Sequence, residues 1–320
     1  MRRVFIWITI KCGFILNYIL EKISVVVVFR FGSAIGEHVT MTAAVEHIAE
    51  KTDNKIIVLS NHQWIFENNP KVTHCSDLSF WPLLARKYLV TFLSKCKQSR
   101  ILEFRMRLPG SRSFEEHMRS NAGLNKKHLV QLHTIGWPKI YKPLNNIPKI
   151  YLLGDKGILQ ELSIPNKFAL IQSGGKLSFT PNKEWGEKKF QEVVDKTRDV
   201  VSWVQVGLPT DKKLNHCIDI RGKVSFTKLA KVVESANFGL FQEGFFCHLA
   251  ASLNTRTYTI YTGFLDSSIS SYPKNIPIKS DPVECSPCWL LDPCPQKMQC
   301  LRSTNPDVVV TKILKDIKGA

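Results

Sequence analysis

Acidic residues are scarce beside basic ones: 27 Asp and Glu face 44 Lys and Arg, a formal net charge of +17. A potential of that size favours phosphate-bearing partners, whether nucleic acid, anionic lipid or phosphorylated small molecules. The basic residues form no long Lys/Arg block, and neither a helix-turn-helix nor an aromatic ribonucleoprotein signature occurs, which sets nucleic acid aside. A bilayer-spanning run is also missing, because residues 4–20 are interrupted by Lys11 and fall short of the roughly 18 to 20 apolar residues required. No small-residue cleavage site precedes Glu21-Lys22, so residues 1–22 read either as an amphipathic extension lying on the anionic inner leaflet or as an uncleaved extension and nothing more. There is no repeat of solenoid period. Cysteine pairing is absent from most of the chain; four of the nine cysteines crowd between Cys285 and Cys300. A large α/β chain without a secretion signal is expected to be cytoplasmic, with its thiols reduced.

With 44% hydrophobic and 22% charged residues, the 320-residue chain has the composition of a soluble globular protein long enough for two cores. Residues 23–29 (ISVVVVF) and 55–60 (KIIVLS) read as buried parallel strands, with a glycine-containing turn and a helix over 39–51 between them. From 72 to 149 the pattern weakens. Residues 168–172, 201–206 and 257–261 read as further strands, alternating with helices over 190–199 and 223–235 and followed by a terminal helix over 306–318. Ser173-Gly174-Gly175-Lys176 is too short for a P-loop. Expected domains are 23–160 and 161–320.

Residues 236–263 carry the most information. The run 238–241 is apolar, Gln242-Glu243-Gly244 breaks it, and 245–253 resumes as a helix with Leu249 and Leu253 on one face. A strand, a tight turn and a helix start together direct backbone N–H groups and the positive end of a helix dipole at one point, which suits a diphosphate. His248 sits one turn into that helix and offers another donor. The alternative is ordinary: Glu243 as a helix-start carboxylate and His248 as a packed histidine.

Three separated blocks resemble the ADP-heptose:lipopolysaccharide heptosyltransferase group, glycosyltransferase family nine. They are FRFGSAIGEHVTMTAAVEHI, NKEWGEKKF and RGKVSFTKLAKVVESANFGLFQEGFFCHLAASL; the tail CSPCWLLDPCPQKMQC is also similar to tails in that group. The resemblance implies an α/β GT-B fold of two facing Rossmann-like domains. It implies an inverting transfer of a heptosyl or related residue from an ADP-sugar donor to a lipopolysaccharide core or related lipid-linked glycan, by an enzyme peripheral to the inner membrane. A protein hydroxyl as acceptor, as in autotransporter heptosyltransferases, and a degenerate nucleotide- or membrane-binding member are the alternatives.

By the same resemblance Glu37 matches the family's Gly-Asp aspartate. A carboxylate suits the base that takes the acceptor proton, although Glu at a helix start is also favourable to the dipole. Lys183 matches the lysine that meets phosphate, Gly244, Phe245 and His248 the phosphate-holding turn, Glu243 the acidic residue facing the sugar, and Val224 the backbone presented to the purine. Gly186 and Phe245 depart from the family's usual Pro and small residue. No cofactor is required for such catalysis. Cys285, Cys288, Cys294 and Cys300 have spacing capable of holding a structural zinc or iron, while Pro287, Pro293 and Pro295 stiffen the same loop without metal.

Overall fold

The structure is a computed structural model that describes residues 15–32, 34–77, 88–89, 92–93, 100–106, 116, 120, 126–154, 157–175, 179–280, 283–301 and 304–319. It divides into two compact units. One holds the described residues of Met1–Arg107 and His128–Tyr151, the other those of Leu108–Lys127 and Leu152–Ala320.

The first unit is built on a parallel sheet of order β3-β2-β1-β4, comprising β1 (Val25–Arg30), β2 (Lys55–Ser60), β3 (His74–Asp77) and β4 (Ile101–Glu103). Val26, Val28, Ile56 and Val58 are fully buried on one face of the sheet, while on the other Phe29 is fully buried and Val27, Ile57 and Leu59 are half-buried. The helix over residues 15–22 ends at Ser24, whose φ of 52° turns the chain, so the strand opens at Val25 rather than at 23. Leu20 of that helix packs on Val25, Phe29 and Ile101. Helix α1 (Ile35–Lys51) buries every residue from His38 to Ile48, which explains its lack of a strong polar face. Helix α2 (Leu129–His133) follows in the segment where the sequence pattern is weak.

Helix α3 (Ile158–Glu161) belongs to the second unit, and its Glu161 pairs with Lys228. The described residues of 152–160 fall in this unit by their contacts. Its parallel sheet contains β5 (Ala169–Ile171), β6 (Trp203–Gln205), β7 (Cys217–Asp219), β8 (Phe238–Gln242), β9 (Thr257–Tyr261) and β10 (Asn275–Lys279), in the order β10-β9-β8-β5-β6-β7. That is the Rossmann order, with the first and fourth strands, β5 and β8, adjacent at the centre. Chain connections leave these two strands in opposite directions, and the crevice this opens at their carboxyl ends is where such sheets take ligands.

Helices α4 (Glu187–Thr197), α5 (Phe226–Ser235), α6 (Phe245–Ser252) and α7 (Pro306–Lys318) complete the unit. Ser225 caps α5 through the Lys228 N–H, and Asn305 caps α7 through Asp307. Val309 and Ile313 of α7 join Phe190, Trp203 and Leu240 in the main core. Among the described residues, no helix is long and apolar enough to cross a membrane.

Candidate active site

In the first unit the expected base, Glu37, lies in the first turn of α1, paired with Arg30 at the end of β1. Arg30 also donates to the Phe31 carbonyl at 2.6 Å. The turn between β1 and α1 is fastened to the loop after β2 by a relay. The Gly32 N–H donates to Asn61 Oδ1 at 3.1 Å, and His38 Nε2 lies 3.1 Å from the Gly32 carbonyl, an acceptor only. His38 must therefore donate through Nε2 and accept through Nδ1 from the Ser60 hydroxyl, 2.8 Å away. Ser60 Oγ accepts in turn from the His62 N–H at 2.9 Å. Burial, then the neighbouring His62, drives the His38 pKa down to about 3. This neutral histidine positions the turn that carries Glu37. Nothing in the local pattern announces it, since its partners lie six and 22 residues away.

In the second unit the structure brings Lys183, Glu243, Gly244, Phe245 and His248 together at the carboxyl end of β8. Lys183 pairs with Glu243 and lies over the rings of Phe179 and Phe264, at 5.2 and 4.9 Å from their centroids. Burial pushes the Glu243 carboxyl up, but Lys183 and then His248 outweigh it and hold the group below its ordinary range. Gly244 adopts φ 157° with ψ −153°, a conformation for glycine rather than for a side chain, and no side chain caps the helix it opens. The first amides of α6 are thus of the kind that water or a ligand satisfies. His248 Nδ1 lies 2.7 Å from the Tyr272 hydroxyl. Val224 is half-buried two residues before Phe226, whose exposed ring meets Phe245 edge-on at 6.2 Å.

The loop bearing Lys183 is held from below. The Gln242 amide donates to Glu184 Oε1 at 2.7 Å, and a Cβ on Gly175 would collide with both side chains. Asn182 is the larger omission from the sequence reading. Its amide nitrogen donates to the carbonyls of Leu290 and Asp292 at 2.6 and 2.7 Å, and its oxygen accepts from the Cys294 N–H at 3.1 Å. The tail is also tied by the Cys288 N–H to Gly263 and the Trp289 N–H to Phe264. Asn182→Ala would strip three hydrogen bonds from a buried clasp. We expect a loss of about 2 to 3 kcal/mol, read as a lower urea midpoint, with Cys285 and Cys288 labelling faster with a thiol reagent.

Cys285, Cys288, Cys294 and Cys300 line one small pocket with Asn182 and Phe264. Cys285 is exposed and Cys300 buried, and burial pushes the Cys288 thiol up. The donor chemistry suits zinc or iron, yet among the described residues no three His, Cys, Asp or Glu side chains converge on a metal-binding point.

Neither a family model nor a curated protein matches the sequence. Solved structures do resemble this one. A glycosyl transferase of family 9 from Veillonella parvula is 12% identical, with a TM-score of 0.62 over 92% of this chain and 97% of that one. ADP-heptose LPS heptosyltransferase II of E. coli is 12% identical, with a TM-score of 0.65 over 91% and 98%. TibC, an iron-containing dodecameric glycosyltransferase from enterotoxigenic E. coli, is 12% identical, with a TM-score of 0.64 over 93% and 79%. The fold is the α/β fold of the GT-B glycosyltransferases.

Proposed function

We propose that the chain is an inverting glycosyltransferase that moves a heptosyl or related residue from an ADP-sugar to a lipopolysaccharide core or related glycan. The observation that carries the reading is the meeting of Lys183, Glu243, the Gly244 turn and His248 at the carboxyl end of the central strand β8. Negative charge builds on the diphosphate as the glycosidic bond breaks, and fixed donors there lower the barrier. Lys183, the α6 amides and His248 are the donors; Glu243 orients Lys183 and faces the sugar hydroxyls; the backbone at Val224 meets the purine. Glu37 is the base that accepts the acceptor hydroxyl proton, its carboxylate oriented by Arg30.

This chemistry requires no metal. The thiol pocket serves as a structural element of the tail, and zinc and iron analysis of the purified protein tests whether it is loaded. The membrane-facing surface is the helix over residues 15–22, which leaves Ile15, Tyr18 and Ile19 exposed on a strongly basic chain.

The decisive test is turnover of ADP-heptose by wild type and by Glu37→Gln, which keeps the shape and removes the base. A fall in kcat of about 100-fold or more with donor affinity unchanged is expected. Equal rates would remove Glu37 from the chemistry, and no turnover by wild type with any ADP-sugar would favour a protein that only binds nucleotide.

A further inference from the structure

Tyr272 belongs to none of the motifs considered above, yet its side chain meets the ring of His248. The two rings meet at 89° with centroids 5.7 Å apart, and the hydroxyl lies 2.7 Å from Nδ1. Both side chains are buried, Tyr272 to 6% and His248 to 5% exposure. A buried hydrogen bond this short between a phenol and an imidazole has two polarities. In one, the phenol donates and the proton of the neutral ring sits on Nε2; in the other, the ring donates through Nδ1 and Nε2 carries a lone pair. A phenol is a far stronger acid than a neutral imidazole N–H, and an imidazole nitrogen is a far better acceptor than a phenol oxygen. The first polarity is therefore the stable one. Burial above all, reinforced by Tyr261, Cys247 and Glu243, raises the Tyr272 hydroxyl well above its ordinary value, so it keeps the proton it donates.

We propose that Tyr272 is a positioning residue of the donor site, whose hydroxyl fixes His248 as the tautomer protonated on Nε2. That tautomer presents an N–H to a diphosphate oxygen; the other would present a lone pair and repel it. The inference rests on the donor-site reading given above and names what makes His248 useful to it. It also assigns a purpose to the segment before β10, which brings Tyr272 to the α6 helix from 24 residues further along the chain.

The test is long-range proton–nitrogen NMR on protein labelled with 15N-histidine, at a pH near 8 where an ordinary imidazole is neutral. The His248 signal is assigned by its disappearance in His248→Gln. Wild type is expected to show a protonated Nε2 and an unprotonated Nδ1. Tyr272→Phe, which keeps the ring and its packing, is expected to give a mixture of tautomers and about a 3- to 10-fold weaker affinity for ADP, the loss of one oriented hydrogen bond. A wild-type ring protonated on Nδ1 overturns the inference, as does a Tyr272→Phe ring with unchanged nitrogen shifts. Protonated Nε2 in a wild type that fails to bind ADP would instead sink the donor-site reading and leave the Tyr272–His248 polarity standing.

Discussion

Lys183→Ala is expected to damage the protein twice. It removes the only charge partner of Glu243 supplied by Lys or Arg among the described pairs, leaving a carboxylate that is 5% exposed without its cation. Breaking a buried pair from one side costs about 3 to 5 kcal/mol. Lys183 is 20% exposed, so the lower end, about 3 kcal/mol, is the expectation. It should also weaken ADP binding about 100-fold, the worth of a charge-assisted hydrogen bond to phosphate. The two effects separate in a double variant. Lys183→Met with Glu243→Gln replaces the ion pair by neutral groups of similar volume, so most of the stability should return while ADP binding does not. Calorimetric titration and urea unfolding on the same three proteins decide the matter. Recovery of ADP binding in the double variant would mean that Lys183 serves only Glu243.

Lowering the pH from 7.5 to 5 should remove about 2 kcal/mol of stability through His38 alone. Its folded pKa, about 3, lies below the unfolded value of about 6.5, so the unfolded chain takes up the proton first. The contribution is complete above pH 6.5 and is lost progressively as the pH falls toward 3. His47 and His62 are shifted in the same direction, mainly by burial, and add to the wild-type slope. The comparison with His38→Gln isolates the residue. The variant should be less stable at pH 7.5, because the Gly32 and Ser60 hydrogen bonds are disturbed, and should lose about 2 kcal/mol less between pH 7.5 and 5. Parallel stability curves for the two proteins would exclude the relay as the site of this proton uptake.

The central strands were legible in the amino-acid sequence because VVVVFR, KIIVLS and TYTIY are runs rich in β-branched, apolar or aromatic residues, bounded by turns, with every residue except Lys55 at least half-buried. The strands that escaped notice, HCSD, ILE, CID and NIPIK, form β3, β4, β7 and β10, the four edges of the two sheets. An edge strand pairs on one side only; three of the four are partly exposed, and three hold four residues or fewer, so composition carries little signal for them. The helix starts at 35 and 226 were readable to within a few residues, since the turn residues before them are local. The donor turn was legible for the same reason: Glu243, Gly244 and His248 lie within six positions. Lys183, sixty residues earlier, joined them through resemblance alone. The contacts that Asn182 makes with the tail, Tyr272 with His248 and Ser60 with His38 join residues more than 20 positions apart, and no spacing rule reaches them.

The clasp made by Asn182 touches main-chain atoms alone: two carbonyls and one amide. It recognises the path of the tail rather than its side chains. Leu290 and Asp292 can therefore drift in identity without loosening the Lys183 loop, whereas one inserted or deleted residue between 290 and 294 would put all three partners out of step. Grafts from related proteins should be tolerated here by length before they are tolerated by likeness.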